Sequence, residues 1–380
     1  MEAGEKAYIV FRADGNADIG AGHLMRCLTI AEQIGERGHV VFWCADEESA
    51  ALVQARGFEA QALGTDYRAM SSELPRLEQL LHGGNHNALH SVKHMYPPSV
   101  ILVDSYCVTA EYLQALRAYG KVYLLEDVPG RIWPVDGVIN YNVFADRRSY
   151  EEAYRQGGEN ISGSDGGQGT KLFIGASYVP LRSRFVGRDY HVREQVKELL
   201  VTTGGGDREN IAGKILERIK DVECRIHVVS GPCNPHGAWL EGYAQTHPRV
   251  TVHRQVDDMA KLMLQCDLAV TAGGTTVYEL CALGVPFVCF SYAENQEALT
   301  EYAGRQKIGL CAGKYHGDSA GTLDNIGNLV RRAAEDWQLR RQLSQRAKGL
   351  VDGLGAKRLA EGMLVQEERR YAENISRLPK

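Results

Sequence analysis

The fold class is set by the stretch AYIVFRADGNADIGAGHLMRCLTIA, residues Ala7 to Ala31. Its first five residues are apolar and rich in β-branched and aromatic side chains, which predicts a strand. The loop that follows contains Gly20 and Gly22, and from His23 onward apolar residues recur at the spacing of an amphipathic helix. A strand, a glycine loop and a helix in this order are typical of a parallel α/β unit.

The same pattern continues along the chain in two series. The first series predicts strands at AYIVF, HVVFWC, VILVD, KVYLL and GVIN (7–11, 39–44, 100–104, 121–125 and 137–140). The second predicts strands at ELLVTT, RIHVVS, VTVHR, DLAVTA and PFVCF (198–203, 225–230, 250–254, 267–272 and 286–290). The sequence therefore predicts two Rossmann-like α/β domains, 1–187 and 188–380, whose parallel sheets face a central cleft.

Two segments interrupt or end this pattern. The glycine-rich stretch 157–170 holds almost no apolar residues, so we expect a solvated insertion in the N-terminal domain. The charged stretch 325–370 predicts two or three helices at the end of the C-terminal domain.

Charge and cysteine usage narrow the classes of partner. The net charge is −5 and Lys and Arg are scattered, which disfavours a nucleic-acid binder. The nine cysteines form no CxxC pair and several lie in apolar runs, which is typical of reduced thiols. No signal-peptide pattern and no run of roughly 18 apolar residues occurs. We therefore expect a cytoplasmic protein that does not insert into a membrane.

His23 is the first candidate for chemistry. It follows Gly20 and Gly22 in the first turn of the predicted helix, where the backbone can approach a ligand closely. A histidine in this place suits a general base. The alternative from spacing alone is an ordinary polar residue of a first helical turn. Asp104, at the end of a predicted strand, is a second candidate, because parallel sheets bind ligands at that edge.

Two glycine turns between a strand and a helix mark the second half. They contain Gly204, Gly205 and Gly206 in one case and Gly273, Gly274, Thr275 and Thr276 in the other. Backbone amides in such turns can hold a diphosphate, although tight turns use glycine for steric reasons as well. Glu279, one turn into the helix that follows, is placed to accept the hydroxyls of a ribose, or is an exposed carboxylate without such a role. Neither turn is a GxGxxG or P-loop motif, so we expect no NAD or ATP chemistry.

A run of histidines at four-residue intervals, His82, His86, His90 and His94, would line one face of a helix and could bind a metal. Two glycines break that helix and no cysteine or carboxylate completes a site. We therefore predict a polar surface loop there, and neither a metal nor a cofactor in the protein.

Seven motifs together resemble one family. In chain order they are IGAGHLMRCLTIA (19–31), VDSY (103–106), INYN (139–142), GASYVPLRSRF (175–185), SGPCNPH (230–236), DLAVTAGGTTVYELCALGVPFV (267–288) and AENQ (293–296). They resemble the motifs of the PseG family, the nucleotide-sugar hydrolase of pseudaminic acid biosynthesis. A spore-coat polysaccharide group of predicted glycosyltransferases is similar as well. The resemblance covers most of the chain from Tyr8 to Ala356.

The resemblance implies a GT-B fold and hydrolysis of UDP-2,4-diacetamido-2,4,6-trideoxy-β-L-altropyranose, or a close analogue, to UDP and free sugar without a metal. In that family pattern His23 matches the general base, Tyr106 and Asn295 match positions around the sugar, and Glu279 matches the ribose ligand. Further motif positions that we assign to substrate or nucleotide are Gly20, Gly22, Arg26, Asp104, Asn142 and Gln296. The chain reads DSY where the hydrolase commonly has DHY, which is compatible with an altered sugar.

Two other functions remain open. A GT-B glycosyltransferase that uses a UDP-sugar donor for surface polysaccharide or spore-coat glycan would have the same nucleotide half. A non-catalytic nucleotide-sugar binding subunit is disfavoured, because a sensor needs no histidine directed at the anomeric carbon.

Overall fold

The computed structural model describes residues 6–16, 19–82, 98–128, 130–158, 160–161, 169–204, 206–231 and 234–364. The chain forms two compact units. The first unit comprises residues up to Tyr141, Ala145–Pro180 and the chain from Gly355, and the second comprises Asn142–Phe144 and Leu181–Leu354. Most of the glycine-rich stretch 157–170 and the histidines at 86, 90 and 94 lie outside the described residues.

A seven-stranded parallel sheet forms the centre of the first unit. Its strands are β1 (Ala7–Ala13), β2 (Gly38–Cys44), β3 (Glu59–Ala62), β4 (Val100–Asp104), β5 (Lys121–Leu125), β6 (Gly137–Asn140) and β7 (Lys171–Ile174). The strand order is β3-β2-β1-β4-β5-β6-β7. Its helices are α1 (Gly22–Ile34), α2 (Glu47–Gln54), α3 (Leu74–His82), α4 (Ala110–Leu116) and α5 (Arg147–Gln156).

The central strands of this sheet are the ones that their apolar runs predict. Every residue of β4 is buried, as expected for a strand that is covered on both faces. The β3 strand, with the sequence EAQA, lies at the edge of the sheet and is only half-buried. The order also places the carboxyl ends of β1, β4, β5 and β6 side by side, and this edge carries the polar residues described below.

The second unit contains a six-stranded parallel sheet. Its strands are β8 (Glu198–Thr202), β9 (Arg225–Val229), β10 (Val250–His253), β11 (Leu268–Ala272), β12 (Phe287–Ser291) and β13 (Leu310–Lys314), in the order β10-β9-β8-β11-β12-β13. Its helices are α6 (Ile211–Arg218), α7 (Gly237–Thr246), α8 (Met259–Gln265), α9 (Thr275–Leu283), α10 (Glu294–Gln306), α11 (Ser319–Glu335) and α12 (Trp337–Lys348). Two sheets of this kind confirm the predicted two-domain α/β fold.

The end of the chain differs from the predicted division. The sequence pattern predicts one domain for residues 188–380, whereas a last helix, residues 355–364, packs within the first unit. The Lys171 ammonium on β7 donates a hydrogen bond of 2.7 Å to the Gly362 carbonyl. A β-carbon at Gly362 would overlap the Phe173 ring. The apolar side chains of Leu359 and Met363 are buried, which is why this helix completes the first unit.

Within the described residues, no helix combines the length and the apolar character that crossing a bilayer requires.

Candidate functional site

Polar side chains meet at the carboxyl edge of the first sheet. His23 lies in the first turn of α1, which follows β1, and Asp104 is the last residue of β4. Asp127 comes two residues after the end of β5. Because β1, β4 and β5 are neighbours in one parallel sheet, their carboxyl ends bring these residues together from distant parts of the chain.

The imidazole of His23 is fixed by the Asp104 carboxylate. Its Nδ1 lies 2.6 Å from Asp104 Oδ1. An ionised carboxylate can only accept, so Nδ1 carries the proton and donates it. The Arg26 guanidinium lies 3.1 Å from the same Nδ1, and since both groups are then donors, this contact is no hydrogen bond. Nε2 therefore keeps its lone pair, and the His23 side chain is 11% exposed. Such a pair is the arrangement in which a carboxylate orients a histidine base.

Arg26 holds the Asp104 carboxylate from its other side. One helical turn beyond His23, it donates from Nε to Asp104 Oδ2 and from Nη2 to Asp104 Oδ1, each at 2.6 Å. Burial alone would raise the pKa of Asp104, but the charge of Arg26, with a smaller effect from His23, holds this pKa well below its usual range. The carboxylate therefore remains ionised across the neutral range and holds the His23 tautomer.

Arg26 also donates hydrogen bonds to two further side chains, those of Asp127 and Tyr141. Its Nη1 donates to both carboxylate oxygens of Asp127, at 2.9 and 3.0 Å, and to the Tyr141 hydroxyl at 2.9 Å. The Tyr106 hydroxyl donates to Asp127 Oδ2 at 2.8 Å. The Tyr106 ring packs edge-on against His23, with ring centroids 4.6 Å apart, and is 57% exposed. Tyr106 thus offers an open aromatic surface beside the candidate base.

Four residues that the sequence predicts separately are therefore adjacent: His23, Arg26, Asp104 and Tyr106. Gly20, with a φ of +74°, and Gly22 form the turn into α1, and neither has an atom within 4 Å of a β-carbon position, so the turn leaves open space. Asp127 and Tyr141 are functional candidates that the sequence reasoning missed. A signal for Asp127 existed, since the apolar run of β5 is followed at once by two carboxylates, Glu126 and Asp127, much as VILVD ends with one.

Asn142, predicted as a substrate ligand, belongs to the second unit. Its Oδ1 accepts a hydrogen bond of 3.1 Å from the hydroxyl of Tyr278, a buried residue of α9. This contact places Asn142 next to the element that carries Glu279.

The predicted nucleotide residues lie at the carboxyl edge of the second sheet. The strands β8, β11 and β12 are neighbours, and each is followed by one of the predicted segments. Gly204 follows β8 with a φ of +92°, which favours glycine, and Gly206 has no atom within 4 Å of a β-carbon position. Gly205 lies outside the described residues.

Side chains of Asp207 and Asn210 cap the N-terminus of α6, the helix after the first glycine turn. The Asp207 carboxylate accepts from the backbone amides of Ile211 at 2.7 Å and Ala212 at 2.9 Å. The Asn210 side chain accepts from Gly213 at 3.3 Å. The first amides of α6 are thus bound to side chains, so any anion at this turn must use the amides of the glycines.

The second glycine turn leaves its helix open. Gly274 is the N-cap of α9 and makes no side-chain cap hydrogen bond, and a β-carbon there would meet no atom within 4 Å. Gly273 has a different role, since a β-carbon there would overlap Thr300 and lie 3.1 Å from the Gln296 Cβ of α10. Thr275 is exposed and Thr276 is half-buried in the first turn of α9. This helix N-terminus is therefore open to an anion.

Glu279 and α10 complete this edge. Glu279 Oε1 accepts from Arg182 Nη2 at 2.9 Å, and the Glu279 side chain is 13% exposed. Burial raises the pKa of Glu279, while the charge of Arg182 opposes that shift. Asn295 is exposed in the first turn of α10, and Gln296 Oε1 accepts from the Tyr292 amide at 3.2 Å. Arg182 lies in the quoted motif GASYVPLRSRF but was not among the predicted ligands.

Among the residues that the structure describes, no group of three or more His, Cys, Asp or Glu side chains is arranged to hold a metal ion.

Comparison with known proteins extends these observations. No family model matches the chain. The spore coat polysaccharide biosynthesis protein SpsG of Bacillus subtilis is 26% identical, over 90% of this chain and 94% of the relative. The UDP-2,4-diacetamido-2,4,6-trideoxy-β-L-altropyranose hydrolase of Campylobacter jejuni is 22% identical, over 78% of this chain and 96% of the relative.

Solved structures show the fold. MurG of Acinetobacter baumannii is 13% identical with a TM-score of 0.61, and the match covers 95% of this chain and 99% of that one. UGT2 of Phytolacca americana, complexed with UDP-2-fluoroglucose and pterostilbene, is 12% identical with a TM-score of 0.64, covering 96% of this chain and all of that one. These likenesses confirm the predicted GT-B fold. The resemblance predicted from the motifs is confirmed as well: over most of its length this chain is similar to the spore coat protein SpsG and to the altropyranose hydrolase.

Proposed function

We propose that this protein is a nucleotide-sugar hydrolase. Its substrate is UDP-2,4-diacetamido-2,4,6-trideoxy-β-L-altropyranose or a close analogue, which it cleaves to UDP and free sugar in nonulosonic (pseudaminic) acid biosynthesis. The similarity to the Campylobacter jejuni hydrolase along most of that protein supports this substrate class. The observation that carries the proposal is the 2.6 Å contact between His23 Nδ1 and Asp104, because it leaves Nε2 as a proton acceptor.

The reaction is a displacement at the anomeric carbon. A water molecule donates a hydrogen bond to His23 Nε2, and its oxygen attacks the carbon from the face opposite UDP. As the new C–O bond forms, Nε2 takes the proton, the anomeric C–O bond to UDP breaks, and the electron pair leaves with the diphosphate. The anomeric configuration therefore inverts. The negative charge of Asp104 stabilises the imidazolium that this step creates.

The second unit supplies the proposed UDP site. The open N-terminus of α9, with Gly274, Thr275 and Thr276, suits the charge of the diphosphate. The amides of Gly204 and Gly206 are a second set of donors. Glu279 lies one turn into α9 and accepts hydrogen bonds from the ribose hydroxyls. The Arg182 guanidinium, which donates to Glu279 Oε1, places a positive charge beside this carboxylate.

In this proposal Tyr106, Asn295 and Gln296 contact the sugar or the phosphates, whereas Asn142 acts indirectly. Tyr106 presents its exposed ring next to His23, where the apolar face of a sugar ring can pack. Asn295 and Gln296 supply amide groups for the sugar or the phosphates. Asn142 acts through Tyr278, whose hydroxyl it binds.

A glycosyltransferase with a UDP-sugar donor is the second candidate, and one observation favours it. Two large apolar side chains of the first unit are exposed near Asp127: Tyr106, whose hydroxyl binds Asp127, and Val128, the next residue in the chain, which is 67% exposed. Such surface suits an apolar acceptor whose hydroxyl His23 would deprotonate in place of water.

Proton NMR of the purified protein with candidate UDP-sugars and no acceptor separates the two functions. Hydrolysis predicts that UDP and free sugar accumulate over many turnovers, and that the first sugar anomer to appear has the inverted configuration. Accumulation only after an acceptor alcohol is added would reject hydrolysis in favour of transfer. Retained configuration would reject the single displacement.

A further inference from the structure

Two cysteines face each other across neighbouring strands of the second unit. Cys289 on β12 and Cys311 on β13 are register partners in the parallel pair. Neighbouring strands lie about 4.8 Å apart, inside the Cα separation of about 4.4–6.8 Å that a disulfide requires. Register partners present their side chains to the same face of a sheet. Both cysteines are reduced in the structure.

The two thiols differ in environment. Cys289 is fully buried, whereas Cys311 is half-buried on an edge strand. The neighbouring Cys289 thiol, aided by the Gly313 amide, lowers the pKa of Cys311 to about 6 against the opposing effect of burial. The contact with Cys311, followed by burial, raises the pKa of Cys289. At neutral pH the reachable sulfur is thus a thiolate and its neighbour is a thiol.

We propose that Cys289 and Cys311 form an oxidisable pair that closes to a disulfide with a peroxide as oxidant. The Cys311 thiolate attacks one peroxide oxygen, the O–O bond breaks, and hydroxide leaves, which gives a sulfenic acid on Cys311. The Cys289 sulfur then attacks the Cys311 sulfur, the S–O bond breaks, and the hydroxyl leaves with the Cys289 proton as water. In sum, two thiols and one hydrogen peroxide give one disulfide and two water molecules.

The Cys289–Cys311 pair contacts α10 through Cys311. A β-carbon at Gly304 of α10 would lie 2.8 Å from the Cys311 Cβ, so the helix rests directly on this residue. Thr300, one turn earlier, donates its hydroxyl proton to the Glu297 carbonyl at 3.0 Å and packs against Gly273. Disulfide formation draws the Cys311 sulfur toward β12 and so changes the surface on which α10 packs. We therefore expect α10 to become less protected when the pair is oxidised.

The experiment treats the reduced full-length protein with equimolar hydrogen peroxide at neutral pH, blocks remaining thiols with iodoacetamide, and maps peptides by mass spectrometry. We expect a cross-linked peptide that joins Cys289 to Cys311, lighter by two hydrogens than the separate peptides and absent after reduction with dithiothreitol. Amide hydrogen exchange in residues 294–306 should rise in the oxidised protein. Iodoacetamide should label Cys311 about tenfold faster than Cys107, which is half-buried as well.

Three variants sharpen the result. In Cys289→Ser, the sulfenic acid has no resolving thiol, so Cys311 should remain as sulfenic acid with one equivalent of peroxide and become sulfinic acid when a second equivalent is added. Cys311→Ser should abolish the cross-link, while the control Cys107→Ser should leave it unchanged. A cross-link from Cys289 to Cys281, a buried cysteine of α9, would overturn the proposal. So would labelling of Cys311 no faster than that of Cys107, and both results come from the unaltered protein.

Discussion

Replacing His23 by asparagine tests the centre of the proposed mechanism. The asparagine amide can still donate to Asp104, but it cannot accept a proton from water at neutral pH. General-base assistance contributes about 10²- to 10⁴-fold to a rate. We expect kcat to fall by that factor, which corresponds to about 2.7–5.5 kcal/mol of transition-state stabilisation.

The structure indicates that this variant still folds. Asp104 accepts three hydrogen bonds of 2.6 Å, and only one comes from His23, so both bonds from Arg26 remain. A hydrogen bond to a charged group contributes about 1.5–3 kcal/mol. The loss is at most that much, against a free energy of unfolding of about 5–15 kcal/mol for typical domains.

The assay is UDP release under saturating substrate, with UDP affinity measured by calorimetry. Affinity for UDP should stay within about twofold, because His23 is in the first unit and the proposed UDP residues are in the second. His39→Asn is the matched control, since His39 lies on β2 of the same sheet with its Nε2 3.5 Å from Glu59. A His23→Asn enzyme with near-normal turnover, while His39→Asn is also normal, would refute the reasoning.

Three further changes test the surroundings. Asp104→Asn should lower the free energy of unfolding at pH 7 by about 3–5 kcal/mol, since it leaves Arg26 partly unpaired in a buried place. Because the pKa of Asp104 is lowered in the fold, its stabilising effect is fully present above an unfolded pKa of about 3.9 and is lost as the pH falls towards the folded value. Urea unfolding of the two proteins should therefore converge in acid, and a pH-independent difference would contradict the assignment. Glu279→Ala should weaken UDP binding by about 1–3 kcal/mol in calorimetry, and an unchanged affinity would remove the ribose assignment. The unaffected control is Glu217→Ala, since Glu217 is a carboxylate of α6 that pairs with Lys220. EDTA should leave turnover intact, because the proposal assigns the proton to His23 and the diphosphate charge to α9; loss that a divalent ion restores would reject it.

The sequence predicts most strands because apolar β-branched runs are buried on both faces of a parallel sheet. The runs at β1, β4 and β5 are of this kind. The strands β3, β7 and β13 are not among those predicted; β7 has a short apolar run, LFI, directly after the glycine-rich stretch, whereas β3 and β13 lack this signal. β3 reads EAQA and lies at a sheet edge, where one side needs no apolar cover, and β13 ends in AGK at the opposite edge of the other sheet.

Residues of the candidate site can be singled out from the sequence one by one, but the contacts between them cannot. His23 and Asp104 stand out because each follows a strand, yet their contact depends on the pairing of β1 with β4, in which Ala13 lies opposite Asp104. Pairing between strands so far apart in the chain leaves no local trace in the sequence. Asp127 enters the cluster only through Arg26, so its role appears with the three-dimensional hydrogen bonds.

The first glycine turn is a local motif that the sequence alone allows to be interpreted in two ways, as a phosphate loop or as a helix cap. Its glycines favour a phosphate loop, and Asp207 in the same motif could be taken for a ligand residue. In the structure Asp207 caps α6 instead. A carboxylate followed by Asn210 just before an apolar helix is also a capping pattern, so the helix start itself contained this information.

The packing of the last helix on β7 has a consequence for biogenesis. During translation the chain emerges from the ribosome in order, so the part of the first unit that ends at Pro180 lacks the helix that packs on Phe173 until the second unit has been made. A nascent chain that stops before Gly355 lacks the last helix of the unit that contains His23 and Asp104. Truncating the C-terminus therefore weakens the unit that begins the chain, and a single cut near residue 187 cannot yield two self-sufficient fragments.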